Sequence, residues 1–261
     1  MIATKQTAIP EATTERNTSR QGTQVSSTGR IGLVAGVLFL ITFITSIPAQ
    51  FVFYHPLLTD PARYILGTGA DASLSMGALL EVMLAVAGVG SAVVLYPIVK
   101  RQNQSVALAY VTSRVIESTL IMVGIVSLLS VLTLRQSIAG TAGVDTASLV
   151  IAGKSLVAIH DAAFLLGPTL LAGIGNGILL GYLMYTSGLV PRRMALLGLI
   201  GGPLIVIATV CVMFGVFKAG SSWQALATGP EFFWELSFGI YCTVKGFNPS
   251  PITSKRVLQG A

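Results

Sequence analysis

VALAYVTSRVIESTLIMVGIVSLLSVLTL, residues 106–134, carries two charged side chains, Arg114 and Glu117, in an otherwise apolar and small-polar run. The hydrocarbon core of a bilayer is about 30 Å thick and takes about 20 helical residues to cross, so this run predicts a transmembrane helix. Further apolar runs lie on either side of it: Ile31 to Phe53, Leu74 to Val99, Ala162 to Tyr185, Met194 to Phe217, and the shorter Pro230 to Val244. Lipid offers backbone groups no hydrogen bonds, which leaves helical spans or a closed barrel, and barrel strands would read as short alternating segments. These runs are long and unbroken. The expected fold is all-α, a polytopic transmembrane helical bundle of six spans.

Composition agrees. The chain is 53% hydrophobic and 10% charged, against about a quarter charged for a soluble domain. Its net charge of +6 lies mostly at the ends of apolar runs, which fits orientation in a membrane and not a nucleic-acid surface. Lys5, Arg16, Arg20, Arg30, Lys100, Arg101, Arg192, Arg193, Lys245, Lys255 and Arg256 fall on one side of the six-span topology; Arg63, Arg135, Lys154 and Lys218 fall on the other. The positive-inside rule then places both termini in the cytoplasm of a cell (inner or plasma) membrane protein. Phe53, Tyr54, Trp223 and Trp234 are candidates for an outer aromatic belt.

Residues 1–30 are polar and read as a disordered cytoplasmic tail, 31–247 as the membrane domain, and 248–261 as a short cytoplasmic C-terminal tail. The first apolar run exceeds the roughly 7 to 15 residues of a signal-peptide core, so it reads as a span. No internal repeat is evident, which lowers the two-halves architecture of many transporters.

Between lipid-facing helices, association depends on close approach at small residues and on interhelical hydrogen bonds. Gly173, Gly177 and Gly181 place three glycines on one face of the fourth span, with Gly32/Gly36 and Gly198/Gly202 as shorter versions. They read as packing positions and make the fourth helix central. Pro168 and Pro203 each remove a backbone donor within a span.

Ionisable side chains cost on the order of 3 kcal/mol at mid-bilayer, so they face protein, a partner or water. Arg114 and Glu117, three residues apart, share a helix face and allow a local ion pair. Glu81 shares a face with Gly77, Ala85, Gly88 and Ala92, with Arg114 as one candidate partner. Glu235 stands deep in the sixth span; Glu231, following Pro230, reads as an interfacial cap. Glu81, Arg114, Glu117 and Glu235 are the expected intramembrane polar site. His160 and Asp161, at the outer entrance of the fourth span, and Asn176 are weaker candidates, His160 reading as a surface histidine at the membrane boundary.

Catalytic chemistry has little to build on. No G-x-S-x-G turn accompanies His160 as a base, and no P-loop or dinucleotide fingerprint occurs. His55 and His160 without clustered cysteines make no zinc site, so neither a catalytic metal nor a cofactor is expected, while a carboxylate cation site stays open. Cys211 and Cys242 lie near opposite ends of their spans and read as packed thiols.

Four stretches, GRIGLVAGVLFLITFI, SRVIESTL, GYLMYTSGLVPRRMALLGLIGGP and WELSFGIYCTVKGFNPSP, resemble in their order the bacterial domain-of-unknown-function family 4386, over about Gly29 to Pro251. The resemblance implies a multi-span membrane protein and no activity. It carries over to Arg114, Glu117, Gly181, Tyr182, Pro191 and Glu235, the positions that match.

Three function classes stay open on these residues. The leading one is a non-enzymatic protein that binds or passes a small molecule or ion through a polar pocket between helices. The others are an intramembrane enzyme acting on a lipid-type substrate, and a structural or regulatory subunit. Besides the lipid bilayer, the expected partners are a small-molecule, ion or lipid ligand, a second copy of the chain or another membrane protein, with no nucleic acid.

Overall fold

A computed structural model describes residues 27–67, 71–138 and 145–253; the polar tail 1–26 and the final residues 254–261 lie outside them. Among the described residues all regular structure is helical. In chain order these are α1 (Ser27–Pro48), extended by a π-helical turn (Ala49–Phe53), the short α2 (His55–Thr59) and α3 (Pro61–Leu66), α4 (Asp71–Val99) and α5 (Gln104–Ile138). Then follow α6 (Thr146–Phe164), two π-helical segments (Leu165–Leu171 and Gly173–Leu180), α7 (Gly181–Ser187), α8 (Arg192–Met213) and α9 (Ser222–Val244). Five helical stretches are long and apolar enough to cross a membrane: Thr28–Phe53, Asp71–Val99, Gln104–Ser137, Thr146–Ser187 and Arg192–Met213. The chain is a multi-pass membrane protein. α9 is a sixth long helix, of 23 residues, and is less apolar because Gln224, Glu231 and Glu235 interrupt it.

These helices form a ring. α4 packs on α1 and α5, α5 on the π-helical stretch after α6, that stretch on α8, α8 on α9, and α9 back on α1. Trp234, Phe238, Phe39, Tyr110, Leu183 and Met184 are central to the principal core. A second core, built from Tyr54, Leu57, Tyr64, Leu128 and Leu149 among others, lies at the far end, where α2 and α3 meet the ends of α4, α5 and α6.

Several helix ends differ from the hydropathy reading. The fourth long helix starts at Thr146, capped by Asp145, and runs without interruption to Ser187. Its 42 residues reach about 63 Å at 1.5 Å per residue, so its first turns project beyond the hydrocarbon and pack on α3 and α5. The fifth stops at Met213, not Phe217: Gly215 adopts a positive φ of 69°, which ends a helix easily because glycine lacks a Cβ. The sixth begins at Ser222, eight residues before Pro230, since Ser221 Oγ accepts from the Gln224 amide and Gln224 Oε1 from the Gly220 amide. That reciprocal pattern is a helix-starting signal in its own right.

Pro168 does not break its helix. Lacking an N–H, it leaves the carbonyl of Phe164 free, and the Thr169 hydroxyl donates to it at 3.2 Å. The backbone widens to π geometry there, with the Ala172 amide reaching Gly167 O and the Gly181 amide reaching Asn176 O. Side-chain hydroxyls and local π turns are the usual means by which membrane helices tolerate proline. Pro203 sits within an α8 that remains α-helical.

The segment after α9 folds back across the helix ends. The Asn248 amide donates to Leu189 O at 2.8 Å, Tyr241 Oη to Asn248 Oδ1 at 2.6 Å, and Ser250 Oγ to Ser187 O at 2.6 Å.

Candidate functional site

Arg114 lies ten residues along α5 from Gln104, about 15 Å in at 1.5 Å per residue, halfway through a core of about 30 Å. Three other elements bring polar groups to the same level: α4 with Gly88, the π segment with Asn176, and α9 with Glu231 and Glu235. Arg114 Nη1 donates to Glu117 Oε2 at 2.5 Å, and both side chains are almost wholly buried. Its Nε makes a long contact, 3.5 Å, with Gly88 O. On the facing helices, Asn176 Nδ2 donates to Glu235 Oε1 at 2.6 Å, and Trp234 Nε1 donates to Asn176 O at 2.8 Å. The charges of Glu117 and Glu235, with the Tyr110 hydroxyl, all act on Arg114.

Glycines make this convergence possible. A Cβ on Gly88 would stand 2.7 Å from Arg114 Nη2, and one on Gly175 would stand 2.8 Å from Ser113 Oγ. On Gly177 it would collide with the Gly202 backbone and fall 2.6 Å from Glu231 Oε2. Gly173 and Gly181 meet α8 in the same way, at Gly202 O and Leu199 N. The three glycines of the fourth helix therefore seat it on α8, and the middle one also shapes the space around a carboxylate.

Glu231 corrects the expectation of an interfacial cap. Because α9 starts at Ser222, Glu231 falls more than two turns inside it, is buried, and has no hydrogen-bond partner on either oxygen among the described residues. Asn176 Oδ1 is likewise buried without a partner among the described residues. Glu235, by contrast, retains some accessible surface at this depth. Glu231 thus lies beside Gly177 and near the Asn176–Glu235 pair, and most of the unpaired buried atoms here are acceptors.

Glu81 does not join Arg114. It lies seven residues from Gly88 along α4, about 10 Å further toward the far interface, and accepts a hydrogen bond from Tyr54 Oη at 3.1 Å. Tyr54 is fully buried against Gly77, and Trp234 is fully buried in the core. Neither belongs to an aromatic belt, because each spends its polar atom on an interior acceptor; Trp223 is exposed. His160 is not a boundary surface residue either. It is 2% exposed, packs edge-on to Tyr54 with ring centroids 5.8 Å apart, and has Nδ1 3.3 Å from Asp161 Oδ1. The long fourth helix buries it between Tyr54 and α5.

Of the expected site residues, the structure brings Arg114, Glu117, Glu235 and Asn176 together, sets Glu81, His160 and Asp161 apart as a second group, and adds Glu231, Tyr110, Trp234 and Tyr54. The spacing of Glu231, Trp234, Glu235 and Phe238 follows the helical period, and the Ser221-x-x-Gln224 start would have drawn attention to it. Cys211 and Cys242 are free thiols. Among the described residues no three His, Cys, Asp or Glu side chains converge as a metal-binding group.

A family model described as a domain of unknown function, DUF4386, matches residues 34–246. No curated protein and no solved structure matches the chain.

Proposed function

The chain belongs to the DUF4386 family, whose description assigns no chemistry, and we propose from the site itself that it binds, and passes across the bilayer, a small cation or protonated amine at the Arg114–Glu117–Glu231–Glu235 cluster. One observation carries the reading: the buried Arg114–Glu117 pair and the Asn176–Glu235 hydrogen bond share their depth with the Glu231 carboxyl, which is buried with neither oxygen hydrogen-bonded among the described residues. Each ionisable group there costs on the order of 3 kcal/mol to insert, so such groups mark ligand and ion pathways more often than scaffolding. Arg114 and Glu117 neutralise each other within α5. Glu231 and Glu235 lie outside that pair, and the unpartnered acceptors on Glu231 and Asn176 suit a ligand that brings positive charge and donors.

In this reading the protein crosses the membrane six times with both ends cytoplasmic. Support comes from α9, which is long enough to span and closes the ring between α8 and α1, and from the basic residues gathered at the ends of α4, α7 and α9. Reporter tags on the two termini test the orientation: both are expected on the cytoplasmic side.

The binding test uses Glu117→Gln and Glu235→Gln in lipid nanodiscs, titrated with sodium, potassium, ammonium and methylammonium. Each variant is expected to insert and fold normally while weakening binding of at least one of these cations about tenfold, equivalent to 1.4 kcal/mol. Variants that bind all four as the parent does, or that only lose their fold, would overturn the proposal in favour of a structural clamp.

A further inference from the structure

We propose that Asp161 and His160 form a proton entry that connects the aqueous face at the far end of the bundle to the buried carboxyl group of Glu81. Position comes first. Glu81 lies eighteen residues from Val99 along α4, about 27 Å, and so stands near the far interface and not at the level of Arg114. His160 faces it from the fourth long helix, packed close enough to α5 that a Cβ on Gly124 would sit 3.2 Å from His160 Cδ2.

Burial then alternates along a short line of titratable groups. The Asp161 side chain is 64% exposed, with Oδ1 3.3 Å from Nδ1 of the buried His160. Beyond the imidazole lies a cavity of about 10 Å³ bordered by His160, Glu81, Gly124, Phe164 and Pro168. That is at the lower edge of the roughly 10–15 Å³ that one water needs. The cavity has two polar walls, both of which exchange protons. Glu81 is in turn held by the Tyr54 hydroxyl at 3.1 Å. Tyr54 and His160 are the titratable groups that act on Glu81, one from the segment after α1 and one from α6.

The transfer balances without any other reactant. A proton arriving at the Asp161 carboxylate passes to His160 Nδ1. The imidazolium releases a proton from its other nitrogen through a water in the cavity, and Glu81 takes it up as the carboxylic acid. The ring resets when a proton passes back through the cavity water to that second nitrogen and Nδ1 returns its proton to Asp161, so each round trip can exchange the Glu81 proton for one from solvent. Histidine suits this task because its two nitrogens accept and donate on opposite edges of one ring. Leu120 and Ile121, which complete the cavity wall, lie within about one turn of Glu117 on α5, so the entry points toward the central cluster. It stands without any assumption about what that cluster binds.

Infrared spectroscopy of the full chain in nanodiscs tests it, with no added cation, so the outcome is independent of the binding titrations. Isotope-labelled glutamate and the Glu81→Gln variant identify the Glu81 carboxyl band, and its rate of deuterium exchange is followed. His160→Phe and the milder, exposed Asp161→Asn are each expected to keep the band and slow its exchange, His160→Phe by roughly a hundredfold, the usual loss when a positioned proton-transfer group is removed. Exchange as fast as the parent's in folded Asp161→Asn and His160→Phe, or no Glu81 carboxyl band at any pH at which the protein stays folded, would overturn the proposal.

Discussion

Arg114–Glu117 and Arg135–Asp71 are ion pairs of equal length, 2.5 Å each, and they do different work. The first joins two residues of α5, three apart, and is sealed inside the bundle. The second joins the ends of α5 and α4 at the far cap, with the Asp71 side chain 37% exposed, Gln136 Nε2 donating to Asp71 Oδ2 at 3.1 Å, and the Arg135 guanidinium over the Tyr64 ring at 5.1 Å. Burial pushes the Tyr64 hydroxyl above its ordinary range while Arg135 opposes the shift. Bond length therefore says little about what a pair is worth; the medium around it decides. In the cap, water can replace a lost partner. In the centre, nothing can, and the charge left behind is uncompensated.

The largest expected effect follows from that contrast. Arg114→Met removes the buried partner of Glu117 and is expected to cost about 3–5 kcal/mol, the usual result of breaking a buried pair. Arg135→Met is expected to cost at most about 1 kcal/mol. Reversible unfolding in detergent, followed by helical circular dichroism, compares them, and equal losses would break the distinction between centre and cap.

A smaller effect separates the glycines of the two regions. A methyl group on Gly177 meets the Gly202 backbone, whereas one on Gly153 in the cap meets the end of the Ile65 side chain. Backbone cannot yield where a side chain can turn. Gly177→Ala is expected to destabilise by about 1–3 kcal/mol, the range for overpacking, and Gly153→Ala by clearly less, in the same unfolding measurement.

The smallest effect lies at the aqueous edge. The Ser148 hydroxyl, with the Ala147 and Ser148 amides, holds the Asp145 carboxyl below its ordinary range at the start of α6. A group depressed in the folded state contributes its stability above its unfolded value, and that contribution is lost as pH falls through the folded value. The protection of the amides of residues 146–149, with the intrinsic pH dependence of exchange removed, is expected to fall on acidification in the parent. In Asp145→Asn, which keeps a capping oxygen without a titrating charge, it is expected to lose that pH dependence.

Much of this was legible before any coordinates. Hydropathy placed long helices over residues 31–53, 74–99 and 106–134 within a few residues of where they occur, because exclusion from water acts on each segment independently of its neighbours. The same reasoning faltered at ends set by local hydrogen bonding: Asp145 starts a helix inside what reads as a loop, and Ser221 starts one well before Pro230. Those two misplaced ends account for both misread side chains, since His160 and Glu231 look interfacial only if their helices begin late.

Residue type and spacing alone determined that the chain lives in a membrane as a helical bundle, that Arg114 pairs with Glu117 one turn away, and that the fourth helix packs through its glycines. These follow from transfer free energy and helical periodicity, which are local properties. Which helices enclose the charges was decided only by tertiary packing. The meeting of α5, α9 and the π-helical stretch puts Glu231, Glu235 and Asn176 with Arg114 and sends Glu81 to His160, because contacts between helices depend on rotation and depth, and no single helix encodes those by itself.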